Sequence, residues 1–196
     1  MPLTKLNNKA VANVTSLPVA LGDMVLVSSA TASSSASIEF TLGNYKEYQF
    51  YWVDCHPSSE TKFGFQVSTD NGSTYATIAT TTYFDALHIE NDTNANLLYR
   101  TTYDLAQSTG LVTLCLDIGA GQSDTSTAGL LHLYNPSSTT YVKHFISRSS
   151  GVVGGDYAVD DNGAGYFNTT SALTNIKFQF AGANMDTGTI LMYGIN

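Results

Sequence analysis

Cysteine and long apolar runs are both scarce in this sequence. The two cysteines, Cys55 and Cys115, are too few in 196 residues for a disulfide framework. Each lies in a strand-like run, where a free thiol packs as a small hydrophobe, and a disulfide between them is the alternative. The apolar run 17–27 is too short and too interrupted to cross a bilayer, and the N-terminus lacks a signal-peptide core. We therefore expect synthesis in a cytoplasm.

Positive charge is scarcer than negative charge. Eight Lys and Arg stand against sixteen Asp and Glu, which gives a net charge of −8. The basic residues are scattered singly along the chain. A surface of this kind repels nucleic acid and anionic membranes. The sequence therefore predicts neither nucleic-acid nor membrane binding.

The abundant residue types indicate a β protein. Hydrophobic residues make up 43% of the chain, there are 12 Tyr, and Ser and Thr are frequent. This composition is typical of strands with a buried face and a hydroxyl-rich outer face. A chain of 196 residues suits one well-filled core. We predict an N-terminal arm at residues 1–24 and a single β-sandwich domain at residues 25–196.

The C-terminal stretch carries the clearest strand pattern. Ile176, Phe178 and Phe180 alternate with polar residues, which predicts a strand with one buried face. Residues 189–195 are apolar at successive positions, which predicts a last strand covered on both faces. Gly194 within it indicates a bulge or a close approach of another backbone.

Turn signals divide the rest of the chain into further strands. Gly43-Asn44 predicts a hairpin between residues 38–42 and a strand that contains Trp52, the best single core anchor. Asn71-Gly72 is the strongest hairpin signal, and Asn135-Pro136 marks a third hairpin. Residues 149–165, rich in Gly, Asp and Ser, are predicted to form a long irregular loop.

These patterns together define a fold class. No amphipathic helix of three turns is indicated, and about nine or ten short strands follow one another at roughly 8–12-residue spacing. The prediction is an all-β, antiparallel sandwich of jelly-roll type. Trp52 and Tyr193 are predicted to lie in its core.

Few residues suggest chemistry. The Gly-x-Ser-x-Gly signature is absent. Cys55 and His56 are adjacent, so on a strand their side chains point to opposite faces and cannot act together. The four histidines lack the spacing of zinc ligands. The weak metal candidates are Asp156, Asp160 and Asp161, whose carboxylates share one glycine-rich stretch as calcium ligands do, although the spacing is not that of an EF-hand.

Two further readings stay open. The scattered Asp and Glu residues include pairs that the fold can bring together as in glycosidases, but nothing in the sequence selects a pair. Part of the tyrosine set could line a sugar-binding face, whereas core or cross-strand packing is the more common role. The sequence predicts no cofactor and no enzymatic activity.

Several segments resemble the small virion structural proteins of tailed bacteriophages, notably those that infect marine bacteria and cyanobacteria. The ending Asn184-Met185-Asp186-Thr187-Gly188-Thr189-Ile190-Leu191-Met192-Tyr193-Gly194-Ile195 carries most of the likeness. The other matching segments are Ser37-Ile38-Glu39-Phe40-Thr41, Glu47-Tyr48-Gln49-Phe50, Asp54-Cys55-His56-Pro57, Gly72-Ser73-Thr74-Tyr75, Asn135-Pro136-Ser137-Ser138-Thr139-Thr140, Val142-Lys143-His144-Phe145 and Gly165-Tyr166-Phe167-Asn168-Thr169-Thr170.

The resemblance spans residues 37–196 and concerns turns and strands rather than a catalytic motif. It implies a non-enzymatic virion component, made in the host cytoplasm and present on the capsid or tail surface. The first hypothesis is a capsid decoration (cement) protein, a homo-oligomer such as a trimer that contacts the major capsid protein. The alternative is a tail or fibre module that binds a host-surface glycan or receptor. Leu191 departs from the pattern, which has a polar residue there, often Lys, and suggests a subunit contact.

Overall fold

The computed structural model of the protein describes residues 24–196, which form twelve β-strands. Every strand pairing in this region is antiparallel. The all-β class is confirmed, with more strands than the nine or ten predicted. The strands are β1 (Met24–Thr31), β2 (Ile38–Thr41), β3 (Glu47–Pro57), β4 (Thr61–Ser68), β5 (Ala79–Ile89), β6 (Ala95–Tyr99), β7 (Val112–Ile118), β8 (Thr127–Tyr134), β9 (Lys143–Val153), β10 (Tyr157–Phe167), β11 (Asn175–Phe180) and β12 (Met185–Ile195).

Eight of the strands form a jelly roll. One set pairs in the order β1-β12-β3-β8 and the other in the order β2-β11-β4-β7. β5, β6, β9 and β10 are left out of this set. When the other eight strands are numbered 1 to 8 along the chain, the first set has the order 1-8-3-6 and the second has the order 2-7-4-5. That interleaving of two Greek keys defines the jelly roll, so the predicted fold type is confirmed. The predicted arm lies almost wholly outside the described residues, and Met24 already belongs to β1.

The remaining four strands extend the first sheet. β9 pairs with β8, β10 with β9, β5 with β10 and β6 with β5, so this sheet has eight strands. A short antiparallel pairing of β7 with β9, at Ile118 and Val153, joins it to the other sheet. Residues 149–165 therefore lie mostly in two paired strands, and the loop prediction was wrong. Among the inward positions there, Ser149, Gly151 and Asp161 are small or polar, and Val159 is a buried apolar residue. The usual apolar alternation is therefore hidden. A Cβ on Gly151 would lie 2.6 Å from Ile118 Cδ1, which explains why this position is small.

Two predicted hairpins were wrong for one reason. The turn at Asn71-Gly72 exists, with φ of 59° and 81° and a hydrogen bond from Ser73 N to Asp70 O. The strands that flank it, β4 and β5, nevertheless pair elsewhere, as do β2 and β3 around residues 43–44. In a jelly roll, strands that follow one another often belong to opposite sheets. The third hairpin, β8–β9 around Asn135-Pro136, is confirmed.

Aromatic side chains fill the space between the two sheets. Trp52 is 1% exposed, its ring lies 5.6 Å from that of Phe63, and its Nε1 donates to Thr127 Oγ1 at 3.3 Å. Phe50 of β3 meets Phe178 of β11 with ring centroids 5.2 Å apart. The prediction of Trp52 as the core anchor is confirmed. Cys55 and Cys115 are both buried free thiols, so the alternative of a disulfide was wrong.

The last strand lies inside its sheet but is buried on one face only. β12 runs between β1 and β3, with Ile190 and Met192 buried and Tyr193 half-buried on the opposite face. The prediction that both faces are covered, and that Tyr193 lies in the core, was wrong. The close approach at Gly194 is to a side chain and not to another backbone as predicted, because a Cβ there would lie 2.5 Å from the Tyr45 ring. The pairing of this strand is irregular with β3 near Gly188 and with β1 opposite Met192 and Tyr193.

Candidate interaction surface

The three aspartates predicted as metal candidates are held apart by the strand geometry. Asp160 and Asp161 are neighbours on β10 and point to opposite faces, while Asp156 lies in the preceding turn with φ of 63°. Asp160 accepts two hydrogen bonds from Arg148, both 2.8 Å, on the exposed side of the sheet. Asp156 accepts one from Gln122 Nε2 at 3.0 Å. No cluster of three or more His, Cys, Asp or Glu suited to a metal ion occurs within residues 24–196.

Asp161 instead lies in a buried polar cluster that sequence reasoning missed. Its carboxylate is fully buried and accepts hydrogen bonds from Tyr83 Oη at 2.6 Å, Leu116 N at 3.3 Å and Ser149 Oγ at 3.4 Å. Burial raises the pKa of Asp161 to about 6, and the nearby carboxylate of Asp85 acts in the same direction. The cluster therefore ties β10 and β9 of one sheet to β7 of the other.

Asp85 lies directly opposite Asp161 in the β5–β10 pairing and is also fully buried. Arg100 compensates it, donating from Nε at 2.5 Å and from Nη2 at 3.0 Å. Such a bidentate pair is a strong form of charge-assisted hydrogen bond. Alternate residues of a strand point to the same face, and Asp85 follows the buried Tyr83 by two residues. This spacing is the sequence signal that could have predicted an inward-pointing Asp85.

The two cysteine side chains are buried, and His56 and His132 each have a hydrogen-bond partner. Cys55 is fully buried, and burial raises the pKa of its thiol to about 12. The neighbouring His56 uses Nδ1 to donate to the carbonyl oxygen of Thr125 at 2.6 Å. These two side chains therefore do not combine as a nucleophile and its base. His132 Nδ1 lies 2.5 Å from Glu47 Oε1 on the outside of the sheet.

We call the surface of the eight-stranded sheet that points away from the core the outer face. Its side chains line up in rows across the strands. The first row consists of Phe84, Asn162, Arg148, Leu130, Tyr51 and Leu191. The second row consists of Thr82, Ala164, Ile146, His132, Gln49, Tyr193 and Leu26.

The outer face carries several exposed or half-buried apolar side chains among its polar ones. Phe84 is 44% exposed, Ile146 47% and Leu26 52%, and Leu130 and Leu191 are half-buried beside them. Two shallow depressions of about 340 and 320 Å³ adjoin at Ile146. The first of them is also lined by the motif residues His144, Gly165 and Tyr166. The sequence signal for this apolar face was Leu191.

The apolar surface continues onto the edge strand β6, where Tyr99 lies opposite Phe84 and Leu97 opposite Ala86. All five residues of β6 are exposed, and Leu97 is 73% and Tyr99 55% exposed. Within residues 24–196 this strand pairs with β5 alone, so its other backbone edge is open. Open apolar edges of this kind are templates for contact with another chain.

Three other motif residues have structural roles. Lys143 is fully buried and donates from Nζ to the carbonyl oxygen of Thr169 at 3.0 Å, and its burial lowers the pKa of the ammonium. Asn135 adopts a φ of 45° at the β8–β9 turn, and the carbonyl oxygen of Pro136 accepts from Leu173 N at 2.9 Å. These residues stabilise the turn and the start of β9.

Comparison with models of known protein families and with curated proteins gives no match to this chain. Among the described residues, no helix is long and apolar enough to span a membrane.

Proposed function

We propose that this chain is a non-enzymatic structural protein of a bacteriophage virion, and specifically a capsid decoration protein on the particle surface. The observation that carries the proposal is the apolar outer face on a chain whose net charge is −8. Monomeric domains rarely leave extended apolar patches open, and such patches mark contacts with other proteins. The face therefore favours an assembly role over a role in turnover.

Two further points support a virion in particular. The jelly-roll order is shared with viral capsid domains, although lectins use it too and a fold alone does not define a function. The segments that resemble phage virion proteins span residues 37–196, which is nearly the whole described domain. The proposed partners are copies of this chain and the major capsid protein, and the chain is made in the host cytoplasm before it joins the particle.

A tail or fibre module is the second candidate. The observation that favours it is the depression of about 340 Å³, where the rings of Tyr166 and His144 lie 6.1 Å apart beside Thr80 and Thr82. An aromatic side chain next to hydroxyl groups suits a sugar ring, which stacks on the one and hydrogen-bonds to the other. The ligand on this reading is a host-surface glycan.

Copy number separates the two candidates. Purified particles are digested, and this chain and the major capsid protein are quantified by mass spectrometry with labelled standard peptides. A decoration protein is expected at a fixed ratio to the major capsid protein, of the same order as the number of lattice positions. A fibre module is expected at far lower copy number. Absence of the chain from washed particles would refute both.

A further inference from the structure

We propose that the outer face packs against the outer face of a second copy of this chain, so that the protein forms a closed homo-oligomer. This inference deepens the proposed function by assigning the copy-to-copy contact to one surface. It does not depend on where the protein sits on a particle.

The part of the face formed by β8, β3 and β12 offers the contacts that a protein interface uses. Tyr51 and Tyr193 meet edge to face with ring centroids 5.7 Å apart, and Leu191 and Leu130 flank Tyr51 in its register row. Aromatic residues are enriched at the cores of protein interfaces because they bury large areas with little loss of conformational freedom. These side chains stand on hydrogen-bonded strands, so the surface is already organised before a partner arrives.

The charges of the face suit a second copy. Glu47 accepts a hydrogen bond from Gln49 Nε2 and lies beside His132 Nδ1, and Asp160 is paired with Arg148, all within the face itself. Two such faces can meet without leaving either carboxylate without a hydrogen-bond partner, although the chain as a whole carries −8. A strongly basic or acidic partner would find its charges unmatched here. Self-association is the arrangement that this charge pattern favours.

The size of the face is a substantial part of what an interface needs. Seven strands from β5 to β1, at about 4.8 Å spacing, span roughly 34 Å, and the two rows of side chains span about 14 Å along the strands. The resulting area is on the order of 480 Å² for each copy. A standard stable interface buries about 800 Å² per partner. The two rows can therefore supply more than half of a stable contact.

The test measures the mass of the full chain in solution by sedimentation velocity at concentrations from about 1 to 100 µM. The wild type is expected at twice 21.0 kDa, because contact between the same face of two copies gives a two-fold dimer. Leu191→Lys and Ile146→Lys each place a charge in the proposed contact and are expected to weaken association about 100-fold, which corresponds to roughly 2.7 kcal/mol. Ile78→Lys is the matched control, because Ile78 is 41% exposed but lies outside the strands of this sheet. It is expected to keep the wild-type mass.

Circular dichroism of all four proteins shows whether each variant remains folded, and Ile146→Lys, at a more exposed position, backs up Leu191→Lys. A wild-type chain that stays at 21.0 kDa throughout overturns the inference. So does an oligomer that neither face variant weakens. If the chain is a monomer and Tyr51 and Tyr193 still resist hydroxyl-radical labelling, the outer face would be covered by residues 1–23 of the same chain. That result would also overturn the inference. None of these results changes the copy number on particles, so the proposed function is tested separately.

Discussion

Replacing Asp161 with Asn is expected to remove a large part of the pH dependence of folding stability. Burial raises the pKa of this carboxyl from 3.8 to about 6 in the folded chain. The folded state therefore holds the proton to a higher pH than the unfolded state does. The contribution of Asp161 to stability is full below pH 4 and is lost as the pH rises through about 6. A pKa difference of about 2 at roughly 1.4 kcal/mol per pH unit corresponds to about 3 kcal/mol.

The variant keeps the neutral form at every pH. In Asp161→Asn the side-chain oxygen can accept from the Tyr83 hydroxyl while the amide nitrogen donates to Ser149 Oγ. The hydrogen bond from Leu116 N is the one that loses its acceptor, which costs about 1 kcal/mol at all pH values. The variant is thus expected to be less stable than the wild type near pH 4 and more stable by roughly 2 kcal/mol at pH 7.5.

Urea unfolding followed by tryptophan fluorescence, repeated from pH 4 to 7.5, measures the difference. The control is Asp160→Asn, on the neighbouring residue, because the hydrogen bonds from Arg148 lower the pKa of Asp160. Its stabilising effect is present above pH 4 and fades below, so the sign is opposite to that for Asp161. Parallel curves for the wild type and Asp161→Asn would refute the assignment of a buried carboxylate that titrates near pH 6.

Three other perturbations follow from the packing. Trp52→Ala is expected to lower the free energy of unfolding by about 3–5 kcal/mol in urea unfolding, because its ring is buried. Tyr193→Ala, on the half-buried face, is expected to lower it by only about 1 kcal/mol in the monomer. Equal losses for the two variants would contradict this placement. Gly188→Ala combines a φ of 128° with a Cβ 2.6 Å from Cys55 Sγ, so a loss of at least about 2 kcal/mol is expected, and an unchanged melting midpoint would count against the described backbone. The thiols of Cys55 and Cys115 are expected to react with a disulfide reagent at pH 8 only after unfolding, because burial raises both pKa values; rapid labelling of the native chain would contradict their burial.

Local pattern predicted the strands well and their partners poorly. The alternation of Ile176, Phe178 and Phe180 predicted β11, and Trp52 predicted the core of β3. The neighbours of these strands could not be inferred in the same way. β11 pairs with β2, which lies more than a hundred residues earlier, and this pairing is fixed by the sheet topology rather than by any nearby turn. Turn residues such as Asn71 and Gly72 report the local backbone conformation and not which strands lie on either side.

The candidate site was predictable only in fragments. Leu191 drew attention as an apolar side chain on a strand face, and it lies on the outer face. The extent of that face depends on β9 and β10, whose inward positions are occupied by residues such as Ser149 and Gly151. Because β9 and β10 lack apolar alternation there, their sequence pattern predicts a loop. Asp161 was grouped with Asp160 for the same reason, because the two appear as neighbours in a loop until the strand separates them.

An electron-microscopy reconstruction of the intact particle tests the central claim most directly. The account predicts density for a two-sheet jelly roll at regular positions on the capsid surface, with the outer faces of neighbouring copies in contact. Density that places these copies apart, with Tyr51 and Leu191 open to solvent, would contradict the assigned contact. A particle surface that lacks this domain altogether would contradict the proposed function as well.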